Sequence, residues 1–144
     1  MQQGVIEQER VMSEVDHARL SELVQGSAGQ VGDAGDRSDV ATLAQKLREA
    51  TVLAPAAVPR TVVTMRSLVQ LRDLERNEKF SCTLSFPDEA DPTRQHVSVL
   101  SPLGATMVAT RVGEVVECPT PSGPRQLRVE RIYYQPEGAR DYHL

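Results

Sequence analysis

A chain of 144 residues with 40% hydrophobic and 25% charged residues has the composition of an ordinary globular protein, with length for one compact domain and a small appendage. Its net charge of −4 comes from six Lys/Arg against nine Asp/Glu in residues 1–60 and ten against eleven in residues 61–144. Neither part has the basic excess that attracts a phosphate backbone, so a protein partner is expected and direct nucleic-acid binding is not.

Met1 to Arg10 is polar and acidic, without the apolar segment of a secretory signal, and no apolar run approaches membrane-spanning length, which predicts a soluble, cytoplasmic protein. Ser13-Glu14-Val15-Asp16 has the form of a capping box, and Leu20, Leu23 and Val24 continue at helical spacing to a stop at Gly26-Ser27. Residues from Gly26 to Ser38, rich in Gly, Ser and Asp, read as a loop. Val40, Leu43, Ala44 and Leu47 give the stripe of a second amphipathic helix reaching about Leu53. Residues 1–53 are therefore expected to form a short helical hairpin, coiled-coil-like, and 54–60 a Pro-rich linker, because Pro55 and Pro59 each remove a backbone donor and bias the preceding residue away from helix.

Residues 61–144 read as a sheet domain. Val62 to Met65 and Leu68 to Leu71 look like strands, Asn77-Glu78 supplies a turn, and Phe80, Cys82, Leu84 and Phe86 alternate with polar residues, which predicts a strand with one buried face. Val97, Val99 and Leu100 form an extended run that hands directly to a helix, with Ser101 as N-cap and Pro102 in the first helical position. Val115 to Cys118 and Leu127 to Tyr134, separated by the breaker run Pro119 to Pro124, make a hairpin closed by Gln135-Pro136-Glu137-Gly138. Apolar positions change parity between Val129 and Ile132, the mark of a bulge or a switch of buried face. The expected fold class is α+β: the helical hairpin followed by a mainly antiparallel sheet of about five or six strands with one short helix laid across it.

Little here suggests catalysis. His17, His96 and His143 are scattered, with no Ser, Cys or carboxylate at a diagnostic offset, and Gly104 and Gly113 lack the spacing of a phosphate loop. Cys82 and Cys118 lie outside any CxxC pattern, which argues against zinc; a reduced buried thiol is the simpler reading of Cys82, a disulfide with Cys118 the alternative. Arg125, Arg128 and Arg131, interleaved with Glu117 and Glu130, form either cross-strand ion pairs on a wet face, the favoured reading, or a contact surface for an acidic partner. No catalytic residue, metal or cofactor is expected.

SVLSPLGA, VGEVVE, PSG and YQPEGARDYHL together resemble the carboxy-terminal domain of the Gre transcript-cleavage factors, from about Val62 to the end and more weakly through the amino-terminal helices. Within that superfamily the chain is similar to the regulators of nucleoside diphosphate kinase, the Rnk group. The resemblance implies an FKBP-like sheet domain, a partner in RNA polymerase, and an influence on nucleoside diphosphate kinase levels, through transcription or through contact. In the Gre factors, the loop carrying an acid followed by Ser-Pro docks on the rim helices of the polymerase secondary channel. The corresponding positions are Leu100, Ser101, Pro102 and Leu103, with Leu100 in place of the acid. A well-formed helix cap is the alternative role for Ser101-Pro102.

Asp33, Asp36 and Asp39 lie where the Gre factors carry acids that help hold a catalytic magnesium inside the polymerase. Reach argues against that role, since helices of about 12 to 15 residues at about 1.5 Å per residue extend only about 20 Å, far less than the Gre coiled coil. Gly29, Gly32 and Gly35 also make the tip costly to order. A non-catalytic regulator docking near the secondary channel and competing with Gre-type factors is the expected function. The alternatives are a true transcript-cleavage factor and an FKBP-like prolyl isomerase or chaperone.

Overall fold

The structure, a computed structural model, describes the backbone of residues 10–28 and 34–141, and side chains over 10–26 and 40–141. Strand β1 (Arg10–Ser13) leads into α1 (Glu14–Ala28), and α2 (Ala34–Glu49) returns into β2 (Ala50–Leu53). The Ser13 hydroxyl caps α1 by accepting from the Asp16 N–H at 3.0 Å. Only half of the expected capping box forms, because the Asp16 carboxylate turns away and accepts from the Met65 N–H at 3.1 Å.

Three expectations for this part are corrected. Gly26 does not stop α1, which runs on to Ala28, and α2 begins at Ala34, so the loop is shorter than Gly26 to Ser38. The second helix ends at Glu49, short of Leu53, because Ala50 to Leu53 pair in parallel with Arg10 to Ser13. A strand partner 40 positions upstream overrides the helical stripe, and β-branched Thr51 and Val52 suit the strand.

Beyond a single 3₁₀ turn at Pro55–Ala57, a five-stranded sheet follows: β3 (Leu68–Asp73), β4 (Glu78–Ser85), β5 (His96–Ser98), β6 (Val115–Cys118) and β7 (Arg125–Tyr134), in the order β5-β4-β3-β7-β6. Every ladder is antiparallel except β4 with β5. The α+β expectation holds, with a mixed sheet. Asn77, at φ 55°, makes the predicted turn into β4. The parity change in β7 is a bulge: Leu71 faces Val129 while Gln70 faces Arg131, leaving Glu130 as the extra residue, and Tyr133 is extra in a second shift. Val62 to Met65 is not a strand; it touches one bridge, Val62 to Arg111, and is otherwise held by bonds such as Val63 N–H to the Thr110 carbonyl at 2.8 Å. Phe80, expected inside, is 37% exposed because it sits toward the open end of β4. The extended run before the short helix stops at Ser98, after which Val99 and Leu100 turn.

Helix α3 (Pro102–Met107) lies across the sheet, its Met107 sulfur 3.8 Å from the Cys82 thiol. One apolar cluster joins Met12, Leu20, Leu43 and Leu47 of the hairpin to Val69, Leu71, Cys82, Leu84, Met107 and Val129 of the platform. Among the described residues no helix is long and apolar enough to cross a membrane.

Polar ties fix the same junction. Arg10 forms a two-pronged pair with Glu114 at 2.7 and 2.9 Å, while within the hairpin His17 Nε2 of α1 lies 3.0 Å from the Leu47 carbonyl of α2. Lys46 Nζ donates to the Thr106 and Val108 carbonyls, both at 2.7 Å. The YQPE segment is a staple: Gln135 Nε2 donates to the carbonyls of Pro59 and Val62 at 2.8 and 2.7 Å, and the Glu137 carboxylate accepts from Thr64 Oγ1 at 2.7 Å.

Two ionisable groups at this junction, buried Asp16 and half-buried Lys46, make stability depend on pH. Burial, reinforced by Glu137, raises Asp16 from 3.8 to about 7 against the Met65 N–H, which lowers it. Between those values the folded chain keeps a proton that the unfolded chain releases, so stability falls as pH rises from 3.8 to about 7. Burial, reinforced by Arg10, lowers Lys46 from 10.5 to about 7, so stability climbs as pH rises from about 7 to 10.5. Denaturant unfolding across this range should show a trough near neutrality. Asp16→Asn should flatten its acid limb and Lys46→Met its alkaline limb; a wild-type profile without a trough contradicts the assignment.

Gly104 offers a second check. A β-carbon there would lie 1.9 Å from the Ser98 carbonyl oxygen and 2.8 Å from the Val99 α-carbon. Gly104→Ala gains about 1 kcal/mol of helix propensity but must push apart two backbone segments, so a net loss of about 2 kcal/mol or more is expected in equilibrium unfolding.

Candidate functional site

The junction of β5 and α3 is built from local hydrogen bonds. Ser98 Oγ accepts from the Leu100 N–H at 3.0 Å, and the Ser98 carbonyl accepts from the Ser101 N–H at 3.0 Å and the Ser101 hydroxyl at 2.6 Å. Ser101, at φ −81° and ψ 162°, is the predicted N-cap, its Oγ accepting from the Gly104 N–H at 3.1 Å. Pro102 follows in the first turn with its ring exposed, while Leu100 and Leu103 are half-buried and pack on the core. The four residues thus form a stiff edge: two leucines hold it down and a proline with fixed φ projects from it. Ser101 is fully engaged as a cap.

That edge is one wall of an open groove of about 440 Å³. The facing wall is the β6–β7 connection, where Pro119 precedes and Pro121 occupies a turn closed by reciprocal Thr120 and Gly123 backbone bonds at 3.2 and 2.9 Å. Gly123 takes φ 114° there, a conformation that side-chain-bearing residues rarely adopt. Phe80, Cys118 and Leu127 contribute apolar surface. Arg76, Arg125 and Asp73 supply charge at the groove. Arg125 Nη1 is 3.5 Å from both Asp73 and Glu75. The Arg76 and Glu75 N–H groups, with Arg125, hold the Asp73 carboxyl below its usual range.

Sequence reasoning places Phe80 in the core face of its strand, reads Pro119 to Pro124 as a break between strands, and does not reach Arg76. The prolines of the turn were the one available signal, read only as breakers. Asp33 lies outside the described residues, as do the side chains of Asp36 and Asp39, whose backbone falls in α2. His143 also lies outside them.

The arginines divide. Arg125 joins the groove, Arg128 reaches Glu130 at 3.6 Å beside the tighter Arg72 to Glu130 pair at 2.7 Å, and Arg131 stacks 5.8 Å from the Tyr133 ring centre. Cross-strand ion pairing describes Arg125, and Glu130 gathers charge at the bulge. Cys82 and Cys118 are both buried thiols, not a disulfide.

Known proteins share this fold. The family described as transcription elongation factor, GreA/GreB, C-term, matches residues 58–134, from the linker to the end of β7. Transcription elongation factor GreA of Chloroherpeton thalassium is 32% identical over 124 residues, covering 86% of this chain and 78% of that protein. The regulator of nucleoside diphosphate kinase of Escherichia coli is 36% identical over 100 residues, covering 69% of this chain and 74% of that protein. A solved structure, the prokaryotic transcription elongation factor GreA/GreB from Nitrosomonas europaea, superposes with a TM-score of 0.71 at 29% identity over 88% of this chain and 98% of that one. With its sheet and capped α3 inside the matched span, the chain belongs to the GreA/GreB transcription elongation factor family.

Proposed function

We propose that this chain is a non-catalytic regulatory protein that docks on RNA polymerase near its secondary channel through the Leu100–Leu103 edge, in the cytoplasm, competing there with longer Gre-type factors. An influence on nucleoside diphosphate kinase levels goes with this role, in line with the similarity to the Escherichia coli regulator of that enzyme. The observation that carries the reading is the exposed Pro102 on a helix whose start is fixed by the Ser101 cap and whose flanking leucines are seated in the core. A contact surface fixed before binding loses little conformational freedom when a partner arrives. Leu100 stands where the Gre pattern has an acid, so the edge docks by shape and apolar contact, aided by the charged groove beside it.

Helices of 15 and 16 residues extend only about 22 to 24 Å at about 1.5 Å per residue, which fits a factor that occupies the entrance without delivering ligands to the reactive centre. The FKBP-like architecture does not by itself carry isomerase activity, and Phe80 is the one aromatic ring among the residues described around the groove.

Pull-down of core polymerase tests the docking. Pro102→Ala should weaken retention about threefold to tenfold while leaving the unfolding transition in place, and unchanged retention would remove the edge from the interface. Ser101→Ala should weaken it too, through loss of a cap worth about 1 kcal/mol. Stalled, backtracked polymerase mixed with the protein and magnesium should release no 3′ fragment. Release that disappears on substituting Asp33 or Asp36 would establish the cleavage reading instead.

A further inference from the structure

Helix α3 is six residues long, too short to persist without outside support at its ends. Ser101 serves its first turn. At the other end, the Gly104 carbonyl accepts from the Val108 N–H at 3.2 Å, and the Met107 carbonyl accepts from the Thr110 N–H at 3.2 Å and the Thr110 hydroxyl at 2.5 Å. The Thr106 and Val108 carbonyls take a donor from another element, Lys46 Nζ of α2, at 2.7 Å each. Lysine is suited to this, since its amine can reach the last carbonyls of a helix from a distance. Ammonium and neutral amine each carry enough hydrogens for both bonds.

We propose that Lys46 is a positioning residue for the docking edge: by closing the carboxyl end of α3 from the helical hairpin, it makes the seating of that hairpin a condition for the Ser101-Pro102 end to hold its place. The consequence for binding rests on the docking reading; the consequence for α3 does not.

Physical continuity supports this coupling. Leu43 and Leu47, on the same helix as Lys46, share the apolar cluster with Met107 of α3, so α2 and α3 move together or lose contact together. The charged groups beside the amine are Arg10 from β1 and Glu114 from the loop before β6, and they engage each other at 2.7 Å, leaving the amine to the carbonyls. Lifting the hairpin would strand the carbonyls of Thr106 and of the capping Val108, and α3 is a rod of only about 9 Å at about 1.5 Å per residue, so its loosened end lies close to Pro102. Coupling of this kind is reciprocal: a partner that grips the edge also holds the hairpin down.

Amide hydrogen exchange on the full-length chain, with polymerase pull-down in parallel, tests the proposal through Lys46→Met, which keeps the apolar stem, and Lys46→Arg, which keeps a cationic donor. In Lys46→Met, exchange over residues 104–110 should rise about tenfold or more while amides of β3 and β7 hold their protection, and polymerase retention should fall with it. Lys46→Arg should recover most of both. Three results overturn the proposal: unchanged exchange over 104–110 in Lys46→Met, a rise spread equally over α3, β3 and β7, or an Arg variant as fast as the Met variant. Failure of the wild-type chain to bind polymerase, with the exchange pattern as expected, would defeat the docking reading and leave the clamp on α3 standing.

Discussion

Close approach of α3 to the end of β5 is the constraint from which the shape of the Leu100–Leu103 edge follows. Gly104 packs its α-carbon against the Ser98 carbonyl with no room for a side chain, and the same carbonyl accepts from both the N–H and the hydroxyl of Ser101. Ser98 therefore ends the strand, and Ser101, fixed by it, starts the helix. Pro102 is presented at the surface because every neighbouring group is committed. Hydrogen bonds and core packing together fix the seven-residue span from Ser98 to Gly104.

The hairpin is bound into the platform rather than merely attached upstream. Its base is a two-stranded parallel ribbon, its apolar stripe enters the platform core, and Asp16 and Lys46 each carry a polar group into the junction. Desolvation of those two groups opposes their charged forms, while the Met65 N–H and the α3 carbonyls give each a specific partner. Such buried polar contacts select one arrangement of the parts over others more than they add stability.

Local chemistry made much of this legible from sequence. Ser101-Pro102 reported its cap through residue type and order, β4 reported most of its buried face through alternation, and the parity change in β7 reported the bulge at Glu130. What escaped was set by distant partners. Ala50 to Leu53 continue a helical stripe until β1 pairs with them, Asp16 looks like a capping acid until Met65 claims it, and Phe80 obeys the alternation yet stands exposed at the open groove. The groove was illegible for the same reason, since β4, α3 and the β6–β7 turn meet only in the folded sheet.

The central claim is that the exposed ring of α3, and not another face, meets RNA polymerase. Site-directed photocrosslinking reads this directly, with a photoreactive phenylalanine at Pro102 and, as controls, at exposed Thr93 and Val52 on other faces. Crosslinks to polymerase from position 102 that are absent from both controls are the predicted result. Equal yields from all three positions, or crosslinks from Thr93 or Val52 with none from 102, would contradict it.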